Sequence, residues 1–434
     1  MIKQLGLGFL ATTLVFSSWS QNTNKDGQDF SLQLNTITTA VPFLLIAPDS
    51  RSGAMGDIGA ALSPDANSTH WNLSKLAWIN HKDYVKERGG NKEEFGMSLG
   101  YSPWLKQLVP DINLAYLSGY KTIGRNQAIA GSLRYFSLGD ITFTDNVGNV
   151  IRNFKPNEFA LDVGYTRMLS ENFSGGVAIR YVYSNLTGGT TTQGGGDTKP
   201  GQSVAADITG FWRSKQFDLG EKKAHVAVGF NVSNIGAKMS YTSTKVRDFI
   251  PTNLRIGSAL DIEIDDNNLF TVSMDLNKLL VPTLPLYQKD ASGNTVVGSD
   301  GEFVIESGRD PNVGVASGIF GSFSDAPGAY YDNSGDLQQI GVFKEELREI
   351  NIAAGIEYWY AHRFALRAGF FYEHYTKGNR QYAAVGAGMK YKTLEIDLSY
   401  LIPTSQNHPL AKTLRFTLKF NFGGANGGES ETAS

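Results

Sequence analysis

The sequence predicts an all-β fold, a transmembrane antiparallel β-barrel of about fourteen strands. Three observations predict it. About fourteen segments alternate apolar and polar residues over roughly ten positions, the length that crosses a bilayer at a tilt of about 45°. The links between them alternate short and long. No apolar run reaches the roughly 18 residues that a spanning helix needs.

Composition agrees once it is split by face. The chain has 434 residues, 48 Gly, 25 Phe and 19 Tyr, a net charge of −3 and a mean hydropathy of −0.22. A wall that is apolar on one face only has ordinary average hydropathy. The near-neutral charge gives no electrostatic footprint for nucleic acid. The absence of Cys excludes a disulfide framework, a thiolate metal site and a lipid-modified N-terminal Cys.

Met1–Ser20 reads as an export signal, with Lys3 before the apolar stretch Leu5–Phe16 and small residues before Gln21. Gln21–Asn80 lacks sustained alternation and is rich in small residues and turn-formers, which suits a plug folded into the barrel. The barrel then occupies 81–422, and 423–434 is a flexible polar tail.

The expected strands run roughly 94–103, 111–121, 127–138, 157–168, 173–185, 203–214, 223–233, 252–263, 268–277, 348–360, 363–375, 380–391, 393–402 and 412–422. In the last, Phe416, Leu418, Phe420 and Phe422 share one face, and Arg415, Thr417, Lys419 and Asn421 the other. Short links follow even strands and longer ones follow odd strands, the longest being 278–347. Outer-membrane barrels have short periplasmic turns and long outer loops, so both termini are expected at the periplasmic end. Tyr101, Trp104, Trp212, Tyr360, Tyr372, Tyr375, Tyr391 and Tyr400 suit interfacial girdles. Strand glycines suit curvature and close packing.

Parity turns Asp162, Asp207, Asp261, Asp275, Glu357, Glu373, Glu395 and Asp397 inward, together with Arg134, Arg180, Arg213, Arg255, Arg367, Arg415 and Lys419. A selective ion pore would show an excess of one sign. Near balance suits salt-bridged walls around a filled lumen; solvated lumen charges are the alternative.

The plug carries Ala47-Pro48-Asp49-Ser50-Arg51-Ser52-Gly53-Ala54-Met55-Gly56-Asp57-Ile58-Gly59, then an acidic turn at Asp65, then His70-Trp71-Asn72. This Arg-x-Gly-x-Met-Gly-x-x-Gly pattern resembles the FadL-type barrels. The Ala-Pro-Asp-Ser-Arg opening and His-Trp-Asn ending resemble, more narrowly, the PorV (LptO) family, FadL-like outer-membrane components of the Bacteroidetes type IX secretion system. The resemblance implies fourteen strands, no small-molecule catalysis and two kinds of partner; no cofactor is expected. One is the giant outer-membrane translocon channel. The other is the C-terminal domain of secreted cargo, which such a protein delivers to a surface attachment complex with a sortase-like protease. An outer-membrane barrel also meets membrane lipid and lipopolysaccharide. The alternative within the same fold is a channel for long-chain fatty acids or other hydrophobic small molecules. The charged run Val85–Glu94 leaves the start of the first strand open.

Binding a protein at a cell surface requires exposed apolar anchors. The candidates are Trp104, Leu105, Leu108 and Val109 in one long link, and Leu284, Leu286, Phe320 and Phe323 in the longest. The first group could instead lie in the lipid interface. Lys344–Arg348 suits a short helical turn, and Asp290–Asn294 and Ser299–Glu302 suit turns of a small hairpin. The six His form no HExxH pair, and His374 is expected on the lipid face. No GxSxG elbow occurs, and the Gly-rich stretch Thr187–Asp197 lacks the Lys-Ser/Thr of a phosphate loop.

Overall fold

The computed structural model describes residues 33–87, 92–105, 109, 111–144, 147, 149–186, 188–189, 198–242, 247–290, 292–404, 410–411 and 413–423. The expected signal segment, residues 21–32 of the expected plug, Leu108, most of the Gly-rich loop and tail residues 424–434 lie outside the described residues.

Fourteen antiparallel strands form the wall: β1 (Phe95–Pro103), β2 (Ile112–Ile123), β3 (Gln127–Leu138), β4 (Asn157–Met168), β5 (Phe173–Asn185), β6 (Gly201–Arg213), β7 (Lys222–Gly236), β8 (Asn253–Asp265), β9 (Asn268–Leu279), β10 (Asn351–Tyr360), β11 (Phe364–Tyr372), β12 (Gln381–Tyr391), β13 (Leu394–Pro403) and β14 (Leu414–Phe422). Each pairs with its neighbours in sequence order, and β14 closes on β1 with Phe422 opposite Phe95 and Leu418 opposite Leu99. Closure removes every edge that a bilayer could not satisfy. No helix among the described residues is long and apolar enough to cross a membrane.

The pleat sorts the side chains as the alternation requires. On β4 and β5, Leu161, Val163, Val177 and Ile179 are exposed on the outside, while Asp162 and Arg180 between them are buried and directly opposite each other. Tyr101, Trp212, Tyr360, Tyr391 and Tyr400 are also exposed on the outer face. The inward charges assigned by parity all lie on the lumen side or at its mouth. Most are buried, and Arg255 keeps a 12% exposed side chain.

Links at one end are short: 124–126, 169–172, 214–221, 266–267, 361–363 and 392–393. Three short helices precede the wall, α1 (Ser50–Ala54), α2 (Ser68–Trp71) and α3 (Lys82–Glu87). Links at the other end are longer, and the longest carries two more helices, α4 (Val315–Gly321) and α5 (Val342–Arg348). A two-stranded ribbon, Ile141–Thr144 with Val150–Phe154, rises from the β3–β4 link. Within 280–350, Leu286–Tyr287 pairs with Ile305–Ser307, and bridges at Lys289↔Thr295 and Val297↔Phe303 complete a small meander.

Two expectations need correction. Strand β10 begins at Asn351 rather than 348, because helix α5 runs through Arg348. Strand β11 stops at Tyr372, because Glu373 and Arg380 pair at 2.7 Å across a turn. Gly378 in that turn has φ +150 and leaves no room for a Cβ beside Glu373. His374 therefore sits in this turn, with its Nδ1 2.9 Å from Thr376 Oγ1, and not on a lipid-facing strand.

The expected placement of both chain ends concerns residues 1–32 and 424–434, which lie outside the described residues. The segment before β1 runs the length of the lumen. Near its start, Asn35 N–H donates to Thr376 O and Ala40 N–H to Phe249 O, both in long links. Near its end, Asn80 donates to Glu93 O beside the short links. Phe422 closes at that same short-link end. The described plug thus runs from the long-link mouth to the short-link mouth, where β14 also ends.

Candidate functional site: the lumenal plug and the loop anchors

The plug is built from short caps rather than long helices. Asp49 accepts from Ser52 N–H at 2.9 Å and caps the turn Ser50–Ala54. Its other carboxylate oxygen accepts the Trp71 indole N–H. Asn72 caps the 3₁₀ turn Leu73–Trp78 and donates to Ala60 O at 2.8 Å and to Gly210 O on β6 at 3.0 Å. The motif residues Asp49, Arg51, Gly53, Met55, Trp71 and Asn72 are all buried, and Asp65 keeps a 15% exposed side chain.

Glycines make this close fit possible. A Cβ on Gly229 or Gly257 of the wall would strike Ala60, and one on Gly355 or Gly369 would strike Met55. On the plug side, a Cβ on Gly53 would strike Arg415 and one on Gly59 the Trp71 ring. Gly56 adopts φ +82 against the Phe370 backbone, and Asp57 follows at φ +65. The inner wall is smooth where the plug backbone lies against it.

Charges lock the plug in place. Arg51 forks onto Glu357 of β10, with Nε–Oε2 at 2.9 Å and Nη2–Oε1 at 2.7 Å. Glu357 also holds Arg367 at 2.6 Å, Arg367 holds Asp397 at 2.6 Å, and Asp397 holds Lys419 at 2.9 Å. Lys419 reaches Asp65 of the plug at 3.4 Å, and Asp65 returns to Arg51 at 3.3 Å. The six side chains form a closed ring through the plug and strands β10, β11, β13 and β14. Glu395 joins it through Lys419 at 2.6 Å. Burial works against the Arg51 charge, but Glu357 outweighs it and holds the guanidinium above its ordinary range. Burial likewise pushes Asp65 up, but Lys419 and Arg51 outweigh it and hold its carboxyl low. Such buried ions persist only when paired.

Further contacts extend the lock. Asp57 takes Arg415 at 2.7 Å and the Tyr382 hydroxyl at 2.5 Å. Asp275 of β9 accepts the Gly59 and Ala60 amides at 2.8 and 3.0 Å. Lys75 donates to Gly59 O at 2.7 Å, and burial pushes its ammonium down to about 8. Nearer the long-link mouth the lumen is apolar and is filled by the chain itself: Phe43 and Leu44 pack among Leu114, Phe136 and Val182. An open cavity of about 80 Å³ at the short-link end is lined by Arg51, Asp65, Lys419, Tyr84 and Trp359, among others.

The loop anchors divide. Trp104 and Leu105 turn inward and pack partly buried on the plug clusters, so they are not free apolar anchors. Val109 is 38% exposed, Leu284 is 42% exposed, and Leu286 is half-buried in the meander. Phe320 and Phe323 are exposed, Phe320 at 79%. A clasp absent from the sequence reading holds their loop in place. Glu346 and Glu349 bind Lys278 at 2.9 and 2.7 Å, and Glu345 and Glu349 bind Lys377 at 2.7 and 3.0 Å. The adjacent acidic pair in Lys344-Glu345-Glu346 was the available signal.

The family model for the type IX secretion system protein PorV matches residues 29–286, from the plug into the longest loop. No curated protein matches the chain. Among solved structures, the toluene transporter TodX of P. putida is 11% identical with a TM-score of 0.43, covering 88% of this chain and 100% of its own. The toluene transporter TbuX of Ralstonia pickettii is 11% identical with a TM-score of 0.44 and the same coverage. A Pseudomonas aeruginosa FadL homologue is 10% identical with a TM-score of 0.38, covering 90% and 99%. With more than half of its length matched by the family model, the chain belongs to the PorV family of type IX secretion system proteins and is an outer-membrane β-barrel.

Proposed function

We propose that the protein is a closed carrier in type IX secretion. It binds the giant translocon channel and the C-terminal domain of secreted cargo, and delivers that cargo to the surface attachment complex with its sortase-like protease. One observation favours this over the channel alternative: the plug is packed and ion-paired against the wall, with Phe43 and Leu44 among Leu114, Phe136 and Val182 toward one mouth and the buried ring of Arg51, Glu357, Arg367, Asp397, Lys419 and Asp65 below them. Binding then falls to the long-link end, which we assign to the cell exterior. Its exposed side chains Phe320, Phe323, Leu284 and Val109 are the candidate anchors.

Affinity purification in mild detergent, followed by mass spectrometry, tests the reading. Recovery of a very large channel protein together with cargo β-domains is expected. Recovery of fatty acid alone, with neither partner, would overturn it.

A further inference from the structure

Helix α5 does not stand above the mouth; it folds over the outer rim of the barrel. Lys278 continues the outward row of β9 after Met274 and Leu276, yet it is buried, because Glu346 and Glu349 cover it. Between α5 and the wall runs a groove of about 270 Å³. Its floor is Leu254, Ile256 and Leu276, from the apolar outer face of β8 and β9. Its other side is Phe323, Phe343 and Leu347. The groove is therefore continuous with the surface that the bilayer covers. Phe343 is 77% exposed and Leu347 51%.

Charge is sorted across the same helix. At 100° per residue, Phe343, Leu347 and Ile350 share the groove face. Glu345, Glu346 and Glu349 are all spent on Lys278 and Lys377. The flank beside the groove carries Lys344 and Arg348, one turn apart. Lys344 is exposed and has no ion pair among the described residues, while Arg348 reaches only the neutral Gln33, at 3.5 Å. An apolar slot open to lipid, with its acids neutralised and its bases facing out, is complementary to a lipid with a net anionic phosphate headgroup.

We infer that this rim groove binds one membrane lipid whose phosphate headgroup is net anionic, with an acyl chain along Leu276 and Leu347 and the phosphate at Lys344 and Arg348. The site is separate from the lumen and from the loop anchor Phe320.

The full chain, purified in mild detergent and titrated with phosphatidylglycerol or phosphatidylcholine of matched acyl chains, tests this by native mass spectrometry. Retention of one phosphatidylglycerol is expected, about tenfold tighter than phosphatidylcholine. Lys344→Glu with Arg348→Glu should abolish that preference. Phe343→Ser should weaken both lipids about equally. Heat-modifiable gel migration reports barrel folding for each variant. If the charge reversal fails to fold, Lys344→Gln with Arg348→Gln makes the same comparison. Equal retention of the two lipids by the parent chain would overturn the inference. So would a preference that survives the paired substitution, or a second copy of the chain seated in the groove in place of lipid.

Discussion

Arg51 of the plug and Glu357 of β10 meet through two parallel hydrogen bonds of 2.9 and 2.7 Å, although 306 residues separate them. Both are buried, and each has a further ionic partner, Asp65 for Arg51 and Arg367 for Glu357. Removing one member leaves the rest of the ring with an uncompensated buried charge. Arg51→Ala should therefore weaken plug seating by about 3–5 kcal/mol. Planar-bilayer recordings should show raised conductance and amide exchange faster protection loss across residues 49–72. Arg51→Met with Glu357→Leu should restore part of the seating, because it removes both charges together. Unchanged exchange in Arg51→Ala would show that the ring does not hold the plug.

Close backbone contact is the second element of the lock. Gly369 faces Met55 with no room for a Cβ, and Gly229 faces Ala60 in the same way. Gly369→Val should lower the heat-modification midpoint and expose the plug to protease, while the barrel still assembles. A control at Gly220, where a Cβ would meet nothing within 4 Å, should cost little beyond the strain of its φ of +63. Equal protease resistance in the two variants would contradict the close-contact argument.

The wall was legible in the sequence and the lock was not, for a physical reason. A strand's two faces meet lipid and lumen, so period-two alternation alone turned Glu357, Arg367, Asp397 and Lys419 inward. Parity fixes direction but not partner. Joining Lys419 to Asp65 needs the tertiary path of a plug with little regular structure of its own. The same limit explains Trp104 and His374. Alternation cannot see the inward fold of a link, or a turn closed by Glu373 and Arg380. The resemblance at Ala47–Leu73 rested on residues that prove to be caps and contact points: Asp49 on Ser52, Trp71 on Asp49, Asn72 on Ala60.

Lys75 makes plug stability depend on pH. Burial lowers its ammonium from 10.5 to about 8, so the folded plug binds fewer protons than the opened one between those values. Stability must then rise as pH increases from about 8 to 10.5, by up to about 3 kcal/mol. Hydrogen exchange of the Leu73–Trp78 turn, corrected for intrinsic rates, should slow over that window, and Lys75→Met should remove the rise. A slope of opposite sign would mean that Lys75 stays charged in the folded plug.

The exterior anchor at Phe320 can be separated from folding, because its ring is 79% exposed and its helix contributes little to the wall. Phe320→Asp should leave heat-modifiable migration unchanged and reduce co-purification with the translocon channel or cargo severalfold. Trp104→Asp should instead disturb the barrel mouth, because Trp104 packs on the plug clusters. If Phe320→Asp leaves partner recovery unchanged, this loop is not the docking surface.

The absence of Cys allows the orientation to be read one residue at a time. Thr36→Cys lies near the Asn35–Thr376 contact at the long-link mouth, Ser334→Cys in the longest loop, and Glu221→Cys in a short link. If long links face outward, a membrane-impermeant maleimide should label the first two on intact cells and Glu221→Cys only after lysis. Labelling at Thr36→Cys also tests whether the chain enters the barrel from the outside mouth and descends through the lumen to β1. The reverse pattern, Glu221→Cys labelled on intact cells and the other two protected, would invert the barrel and move every proposed docking surface to the periplasm.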